Sequence, residues 1–172
     1  RCVSPDHEDS NYRMTREALL DHVPVPPDRI HRIQGETAPP EAAEVYEREV
    51  RRVFLTSHPA FDLVLLGMGD DGHIASLFPG TDALLEAKRL VVADRAPHLK
   101  VHRITFTLPL INSANAVSLL VTGPSKAPVL KRVLEHAPGQ PILPAALVQP
   151  SSGNLTWFLD RGAASRLAEV NA

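Results

Sequence analysis

The sequence predicts an α/β fold in which a mostly parallel, Rossmann-like sheet carries helices on both faces. Three observations favour this class. Segments with strand character alternate with segments of helical periodicity, and two strand segments are apolar on both faces, as buried parallel strands are. The 16 prolines fall mostly between these segments. Because neither a repeat nor a linker divides the 172 residues, we expect a single domain over residues 1–172.

The first half of the chain contains two predicted helices and one predicted strand. Residues 10–23 begin with Ser10, a favourable N-cap, and place their apolar residues on one helical face. Residues 38–57 form the strongest predicted helix, because prolines and acids stand at its start and arginines near its end. Residues 61–67 are apolar throughout most of their length, which predicts a buried central strand.

In the second half of the chain, predicted strands and helices continue to alternate. Its predicted strands are residues 89–94, 102–108, 116–123 and 154–160, of which 116–123 is expected to be fully buried. A helix is predicted over residues 124–137, with Pro128 tolerated near its first turn. A short helix over residues 161–170 follows the last strand.

Composition and charge narrow the functional classes. The chain is 44% hydrophobic and 22% charged, which is typical of a globular protein. Its net charge of −2 and the lack of a basic block argue against nucleic acid as a partner. No apolar run approaches the ~20 residues of a membrane span. The single cysteine excludes an intrachain disulfide and fits a reducing compartment, so we expect a soluble, cytoplasmic protein.

A glycine loop of unusual charge follows the strand predicted at residues 61–67. Its glycines have the G-x-G-x-x-G spacing and are Gly67, Gly69 and Gly72. A dinucleotide-binding loop would need a long helix next, but Pro79 and Gly80 interrupt the chain after barely one turn. Moreover, Asp70 and Asp71 would repel a pyrophosphate. A purely structural turn explains the glycines, but not the polar cluster at a strand's carboxyl end.

His73 makes a catalytic loop the favoured interpretation. It stands two residues after Asp71, whose carboxylate can orient the imidazole. Histidine is suited to proton transfer near neutral pH. Glycines allow backbone N–H groups to approach a substrate oxyanion or phosphate closely.

The stretch LLGMGDDGHIASLFPG, residues 65–80, closely resembles the signature of the 6-phosphogluconolactonases. Residues 103–114, 117–130 and 155–167 are also similar to segments of that family. The resemblance implies the fold of the sugar-phosphate isomerase/lactonase superfamily. It also implies hydrolysis of 6-phospho-D-glucono-1,5-lactone to 6-phosphogluconate in the oxidative pentose phosphate pathway, without a metal or a cofactor. The expected partner is this small sugar-phosphate lactone, and the full-length protein is expected to be a monomer.

Residues 1–20 resemble the family segment in which an Asp-Glu-Arg triplet leads into a Ser-Asn pair. Arg1 matches the last residue of the triplet, and Ser10 and Asn11 match the pair. Members of the family carry a further N-terminal region with the first strand and a Ser/Gly-rich phosphate loop. We therefore expect this chain to be the C-terminal portion of a lactonase-like domain.

The resemblance implies a role for each matching residue. His73 would act as the general base on the attacking water, and Asp71 would hold its imidazole. Arg1 would steady the oxyanion or the sugar acid, with backbone N–H groups of the glycine loop as alternative donors. Substrate would be bound by the remaining matched residues, which are Arg103, Lys126, Gly67, Gly69, Gly72 and Asn11. Arg103 and Lys126 match the phosphate-binding positions, although each alone could be an ordinary solvated side chain.

Two other functions stay open. The glucosamine-6-phosphate deaminases have a similar loop, but their additional glutamate is replaced here by Phe78, which cannot transfer a proton. A non-catalytic sugar-phosphate-binding module would not need the Asp71 and His73 pair. His98 and His102 have a spacing that could bind a metal, but no third ligand is evident, so no metal site is expected. Asp70 is expected to be a turn or cap residue.

Overall fold

A computed structural model describes residues 1–56, 58–97, 101–135, 137–151 and 153–168. Its helices are α1 (Asn11–Ala18), α2 (Pro39–Phe54), α3 (Asp82–Leu85), α4 (Leu108–Asn112) and α5 (Ala127–Leu134). Its strands are β1 (Val64–Gly67), β2 (Val91–Arg95), β3 (His102–Phe106), β4 (Ala116–Val121) and β5 (Asn154–Leu159). Within these described residues, no helix is both long and apolar enough to cross a membrane.

The strands form two separate sheets. A parallel sheet has the order β1-β4-β5, and β2 pairs with β3 in an antiparallel ribbon. The α/β class and the parallel sheet are thus confirmed, whereas the ribbon departs from the expectation of one sheet. The reason is the short connection from β2 to β3, because a parallel return needs a dozen or more residues.

The first two helices follow their sequence signals closely. The Ser10 hydroxyl accepts a hydrogen bond from the Arg13 N–H at 3.1 Å, which confirms the predicted N-cap. α1 is shorter than predicted, because a 3₁₀ turn over Leu20–His22 replaces its last part. α2 ends at Phe54, where Leu55 adopts a left-handed conformation with a φ of 52°.

The remaining helices differ more from the sequence prediction. The helix predicted from residue 124 begins as a 3₁₀ turn over Pro124–Lys126 and becomes α5 afterwards. The final predicted helix is a 3₁₀ turn over Ala163–Arg166, and residues 169–170 lie outside the described chain. The short helices α3 and α4 were not predicted. α4 takes up the end of the strand predicted over residues 102–108.

The core consists of two apolar clusters. The larger one lies between the parallel sheet and α5, which contributes Val129, Leu130 and Val133. The smaller one lies between α2 and the antiparallel ribbon. Phe61 joins them, because its ring lies 4.9 Å from that of Phe54 and 5.3 Å from that of Phe106. Phe61 lies just before β1, so the two clusters hold the segment that leads into this strand. The loop of interest follows at the other end of the same strand.

The second face of the parallel sheet is apolar and open in the described part of the chain. Leu65, Leu120 and Phe158 share this face and are each more than half exposed. The strands predicted to be buried on both faces, residues 61–67 and 116–123, are therefore buried on one face only. Of the described strands, only β4 pairs with β1, so β1 is an edge strand rather than a central one. That the chain is the C-terminal portion of a domain stays a prediction.

Leu130 provides a test of the α5 interface. Its side chain is fully buried, whereas Leu134, one turn later on the same helix, is 42% exposed. Leu130→Ala should lower the free energy of unfolding by about 2–5 kcal/mol, because it removes buried methyl groups and leaves a cavity. Leu134→Ala is the matched control and should cost clearly less in the same denaturant titration. Equal losses would contradict the assigned packing.

Candidate active site

The loop after β1 folds back on itself through its own backbone. The Gly69 N–H donates to the His73 carbonyl at 2.9 Å, and the Gly72 N–H donates to the Gly69 carbonyl at 3.1 Å. Gly72 has a φ of 80°, a left-handed conformation that favours glycine. Its carbonyl accepts from the Ala145 N–H at 3.0 Å, which ties the loop to the 3₁₀ turn Pro144–Leu147.

These bonds bear on one prediction about the loop. An N–H group has a single hydrogen, and those of Gly69 and Gly72 are both used inside the loop. In this conformation both N–H groups hold the loop around His73 instead of pointing to an outside acceptor. That Gly67, Gly69 and Gly72 bind substrate stays a prediction.

The predicted contact between Asp71 and His73 is present. Asp71 Oδ1 lies 2.6 Å from His73 Nδ1 and also accepts the His73 backbone N–H at 3.1 Å. An ionised carboxylate only accepts hydrogen bonds, so Nδ1 carries the proton. The lone pair of the neutral ring is consequently on Nε2, which has no hydrogen-bond partner in the described structure.

The environment of Asp71 favours its ionised form. Partial burial of the carboxyl is the largest influence and raises its pKa, but it is outweighed by the hydrogen bonds from the backbone and the ring of His73 and by the positive charge of the ring in its protonated form. The net effect is a pKa of Asp71 below its usual value. Asp71 is therefore a carboxylate at neutral pH and can hold the imidazole in one tautomer.

The imidazole of His73 is fixed by packing as well. A Cβ atom at position 69 would lie 2.1 Å from Nδ1 and 2.2 Å from Cε1 of the ring, so only glycine leaves enough space. The ring of Phe78 packs against the imidazole with a centroid distance of 4.4 Å, and Phe78 is itself buried. Asp71, Gly69 and Phe78 together set the position of the ring.

His73 lines an open cleft of about 610 Å³ at the carboxyl end of β1. The predicted site residues that share this cleft are Arg1, Asn11, Gly67, Gly69 and His73. Ser76 and Thr105 also line it, and the Ser76 N–H donates to Thr105 Oγ1 at 3.0 Å. Neither was predicted as a site residue, because a lone serine or threonine carries no motif.

Arg1 and Asn11 reach the cleft from the N-terminal segment. Asn11 is the first residue of α1, and the guanidinium of Arg1 forms an ion pair with Asp9. No set of three or more possible metal ligands occurs within the described ranges of the chain. His98, half of the histidine pair considered for metal binding, lies outside those ranges.

Arg103 is a buried cation with an unused donor. Its side chain is 8% exposed, and its Nε has no hydrogen-bond partner in the described residues. Burial, and next the positive charge of Arg1, lower the pKa of Arg103. Arg1 is itself exposed and paired with Asp9, whose negative charge acts on Arg103 in the opposite direction. Arg103 is not among the residues that line the cleft in the described chain.

Lys126 contacts the glycine loop through an ion pair with Asp70. Its Nζ lies 2.7 Å from Asp70 Oδ1, so the turn after β4 is joined to the loop after β1. Asp70 lies in the turn closed by the Gly72 N–H and the Gly69 carbonyl, which confirms that it is a turn residue, and it forms this ion pair in addition. Lys126, like Arg103, lies outside the set of residues that line the cleft.

Comparison with known proteins gives the family of the chain. Residues 1–157 match the profile of the family described as glucosamine-6-phosphate isomerases/6-phosphogluconolactonase. The chain belongs to this family. Its loop with Asp71 and His73 lies inside the matched range.

Relatives within the glucosamine-6-phosphate isomerase/6-phosphogluconolactonase family are similar over almost the whole chain. The human 6-phosphogluconolactonase is 45% identical over 170 residues, which are 97% of this chain and 65% of the relative. A 6-phosphogluconolactonase of Synechocystis is 45% identical over 174 residues, which are 97% of this chain and 70% of the relative. The chain therefore spans about two thirds of the length of these relatives.

Solved structures of the family share the fold. The 6-phosphogluconolactonase from Trypanosoma cruzi superposes with a TM-score of 0.86 and 32% identity, over 98% of this chain and 70% of that one. A monomeric glucosamine-6-phosphate deaminase superposes with a TM-score of 0.74 and 25% identity, over 95% of this chain and 70% of that one. The predicted superfamily is thereby confirmed.

Gly69 and Gly67 offer a matched test of the packing around His73. Gly69→Ala should displace the imidazole and break its hydrogen bond to Asp71, because the new Cβ would overlap the ring. Gly67→Ala should be tolerated, since the nearest atom to its Cβ, the Leu120 carbonyl oxygen, would be 4.0 Å away. Long-range ¹H–¹⁵N spectra of the imidazole report the tautomer. The Nδ1–H pattern should persist in the parent and Gly67→Ala and be lost in Gly69→Ala; its persistence in all three would contradict the packing.

Proposed function

We propose that this chain carries the catalytic site of a 6-phosphogluconolactonase, which hydrolyses 6-phospho-D-glucono-1,5-lactone to 6-phosphogluconate. The observation that carries the proposal is the Asp71 and His73 pair at the edge of the cleft. His73 has one nitrogen bound to a carboxylate and the other without a partner in the described chain. The names of the relatives support the same reaction.

The proposed reaction needs one general base and one water. His73 Nε2 takes a proton from water as the water oxygen attacks the lactone carbonyl carbon. The carbonyl oxygen becomes an oxyanion in the tetrahedral intermediate. The bond from this carbon to the ring oxygen then breaks, and the imidazolium returns its proton to that oxygen. The product is an open-chain acid that ionises, and His73 is restored as the neutral base.

Asp71 supports both halves of this reaction. Its carboxylate keeps the proton of neutral His73 on Nδ1, so that Nε2 is ready to accept. When His73 becomes positively charged, the carboxylate at 2.6 Å stabilises it. Gly69 and Phe78 hold the ring in place, which lowers the cost of reaching the reactive geometry.

We propose that three cations, Arg1, Arg103 and Lys126, bind the negative charges of the substrate and of the reaction intermediate. Arg1 lines the cleft with His73, and we propose that it stabilises the oxyanion or the sugar acid. Arg103 and Lys126 are proposed to bind the phosphate. The unpaired Nε of Arg103 supports this assignment, because a buried guanidinium donor without an acceptor is costly unless a ligand supplies one. Lys126 is joined to the loop itself through Asp70.

The alternatives are less well supported. A deaminase would need a further carboxylate, but Phe78 occupies that place in the sequence and its ring packs on His73. A binding module without activity would not need a histidine held in one tautomer. We further propose a cytoplasmic location and a monomer that acts on a small metabolite and not on nucleic acid, in line with the single cysteine and the net charge of −2.

Replacing His73 tests the general base. In the full-length enzyme, His73→Ala should lower kcat by about 10²–10⁴-fold, the usual contribution of a general base. The assay follows loss of freshly made lactone and subtracts its spontaneous hydrolysis. His22→Ala removes an exposed histidine that bonds the Glu17 carbonyl and serves as the control. A His73→Ala enzyme as fast as the parent would refute the proposed mechanism.

Replacing Lys126 tests the phosphate assignment. Lys126→Ala should weaken binding of the phosphorylated lactone by about 1.5–3 kcal/mol, the scale of a charged hydrogen bond, and Arg103→Lys should act in the same direction. Unphosphorylated gluconolactone should be affected much less. Lys131→Ala, which removes a lysine paired with Glu135 on α5, is the control. An equal effect on both lactones would show that the two residues are structural.

A further inference from the structure

Asp70 and Lys126 form an ion pair whose two members differ strongly in exposure. Lys126 Nζ lies 2.7 Å from Asp70 Oδ1, and the two residues follow neighbouring parallel strands, β4 and β1. The side chain of Lys126 is 22% exposed, whereas that of Asp70 is 74% exposed. The lysine is thus held by its surroundings, and the aspartate reaches it from the solvent side.

Asp70 is not held in place as its neighbour Asp71 is. Asp71 accepts two hydrogen bonds from His73, whereas the only partner of the Asp70 side chain in the described chain is Lys126. An ion pair with one largely exposed member contributes little free energy, because water solvates the Asp70 carboxylate well when it leaves the lysine. Asp70 can therefore turn into solvent at small cost, and Lys126 then presents an open ammonium group.

We propose that Asp70 is an internal competitor, a carboxylate that occupies Lys126 until a phosphate dianion replaces it. The proposal rests on the assignment of Lys126 to phosphate binding given above. A dianion with three acceptor oxygens interacts more strongly with an ammonium group than a single carboxylate does, so phosphate can displace Asp70. Every anion that binds Lys126 has to break the same ion pair first. Asp70 therefore lowers the affinity of each such anion by the same factor.

A simpler effect would also oppose anion binding. A carboxylate near any anion site repels the ligand through space, whether or not it forms an ion pair with a lysine. The two explanations differ in how Asp70 depends on Lys126. Competition for the ammonium group requires Lys126, whereas repulsion through space does not. A double-mutant cycle separates the two.

The experiment measures binding of inorganic phosphate to the full-length protein by calorimetry at pH 8 and low ionic strength. Asp70→Asn should tighten phosphate binding about two- to fivefold, the fold-change expected for release of an exposed ion pair. In the Lys126→Met background the same substitution should change the Kd by less than about 1.5-fold. Asp70→Glu should restore the parent Kd. Asp28→Asn removes the same charge from an exposed carboxylate outside the cleft and should have no effect.

Gluconate, which has a carboxylate but no phosphate, is a second probe of the competition. Where it displaces Asp70 from Lys126, Asp70→Asn should tighten its binding by the same factor as that of phosphate, because each ligand has to break the same ion pair. An unchanged Kd in Asp70→Asn would overturn the proposal, as would equal tightening with and without Lys126. So would a parent protein that binds no phosphate. Failure of the lactonase function appears separately, as absence of turnover in a parent protein that still shows the predicted binding pattern.

Discussion

The imidazole of His73 occupies the space that a side chain at position 69 would need. A Cβ there would overlap two ring atoms, so the backbone of the loop and the ring of the histidine pack as one unit. The other contacts of the site depend on this close approach. Gly69 bonds the His73 carbonyl, Asp71 bonds its backbone and ring, and Phe78 packs on the imidazole. The proposed catalytic group is thereby held by the loop that carries it.

This constraint indicates that the glycines of the loop serve a purpose other than phosphate binding. In a dinucleotide loop the glycines let a pyrophosphate approach the backbone. Here Gly69 lets a side chain of the same loop approach, and Gly72 supplies a left-handed residue. Asp70 and Asp71 are then compatible with the glycine spacing, because no pyrophosphate has to lie against the loop. Asp71 faces the histidine, and Asp70 faces a lysine.

The sequence predicted the parts that depend on local chemistry. The N-cap at Ser10, the α2 helix and the spacing of Asp71 from His73 all follow from short-range rules, and the structure contains them. The resemblance of residues 65–80 to a known signature also predicted the superfamily. These features could be predicted because each depends on a few neighbouring residues of the chain.

The rest could not be predicted, because it depends on contacts between distant segments. The antiparallel pairing of β2 with β3 is a property of chain connection, and both strands are rich in the same β-branched residues as a parallel strand. The exposed face at Leu65 and Leu120 cannot be told from a buried one by hydrophobicity alone. The pairing of Lys126 with Asp70 joins residues 56 positions apart in sequence.

The exposure of Asp70 has a consequence for how such a site can change during evolution. Asp71 is hydrogen-bonded to His73 and cannot be replaced without disturbing that ring, which is the proposed base. Its neighbour Asp70 projects into solvent and, among the described residues, pairs only with the ammonium group of Lys126. Replacement of Asp71 therefore disturbs the proposed base, whereas replacement of Asp70 alters an ion pair with the proposed phosphate ligand Lys126. Substitution at position 70 thus offers a way to change anion affinity in small steps without altering the contacts of His73.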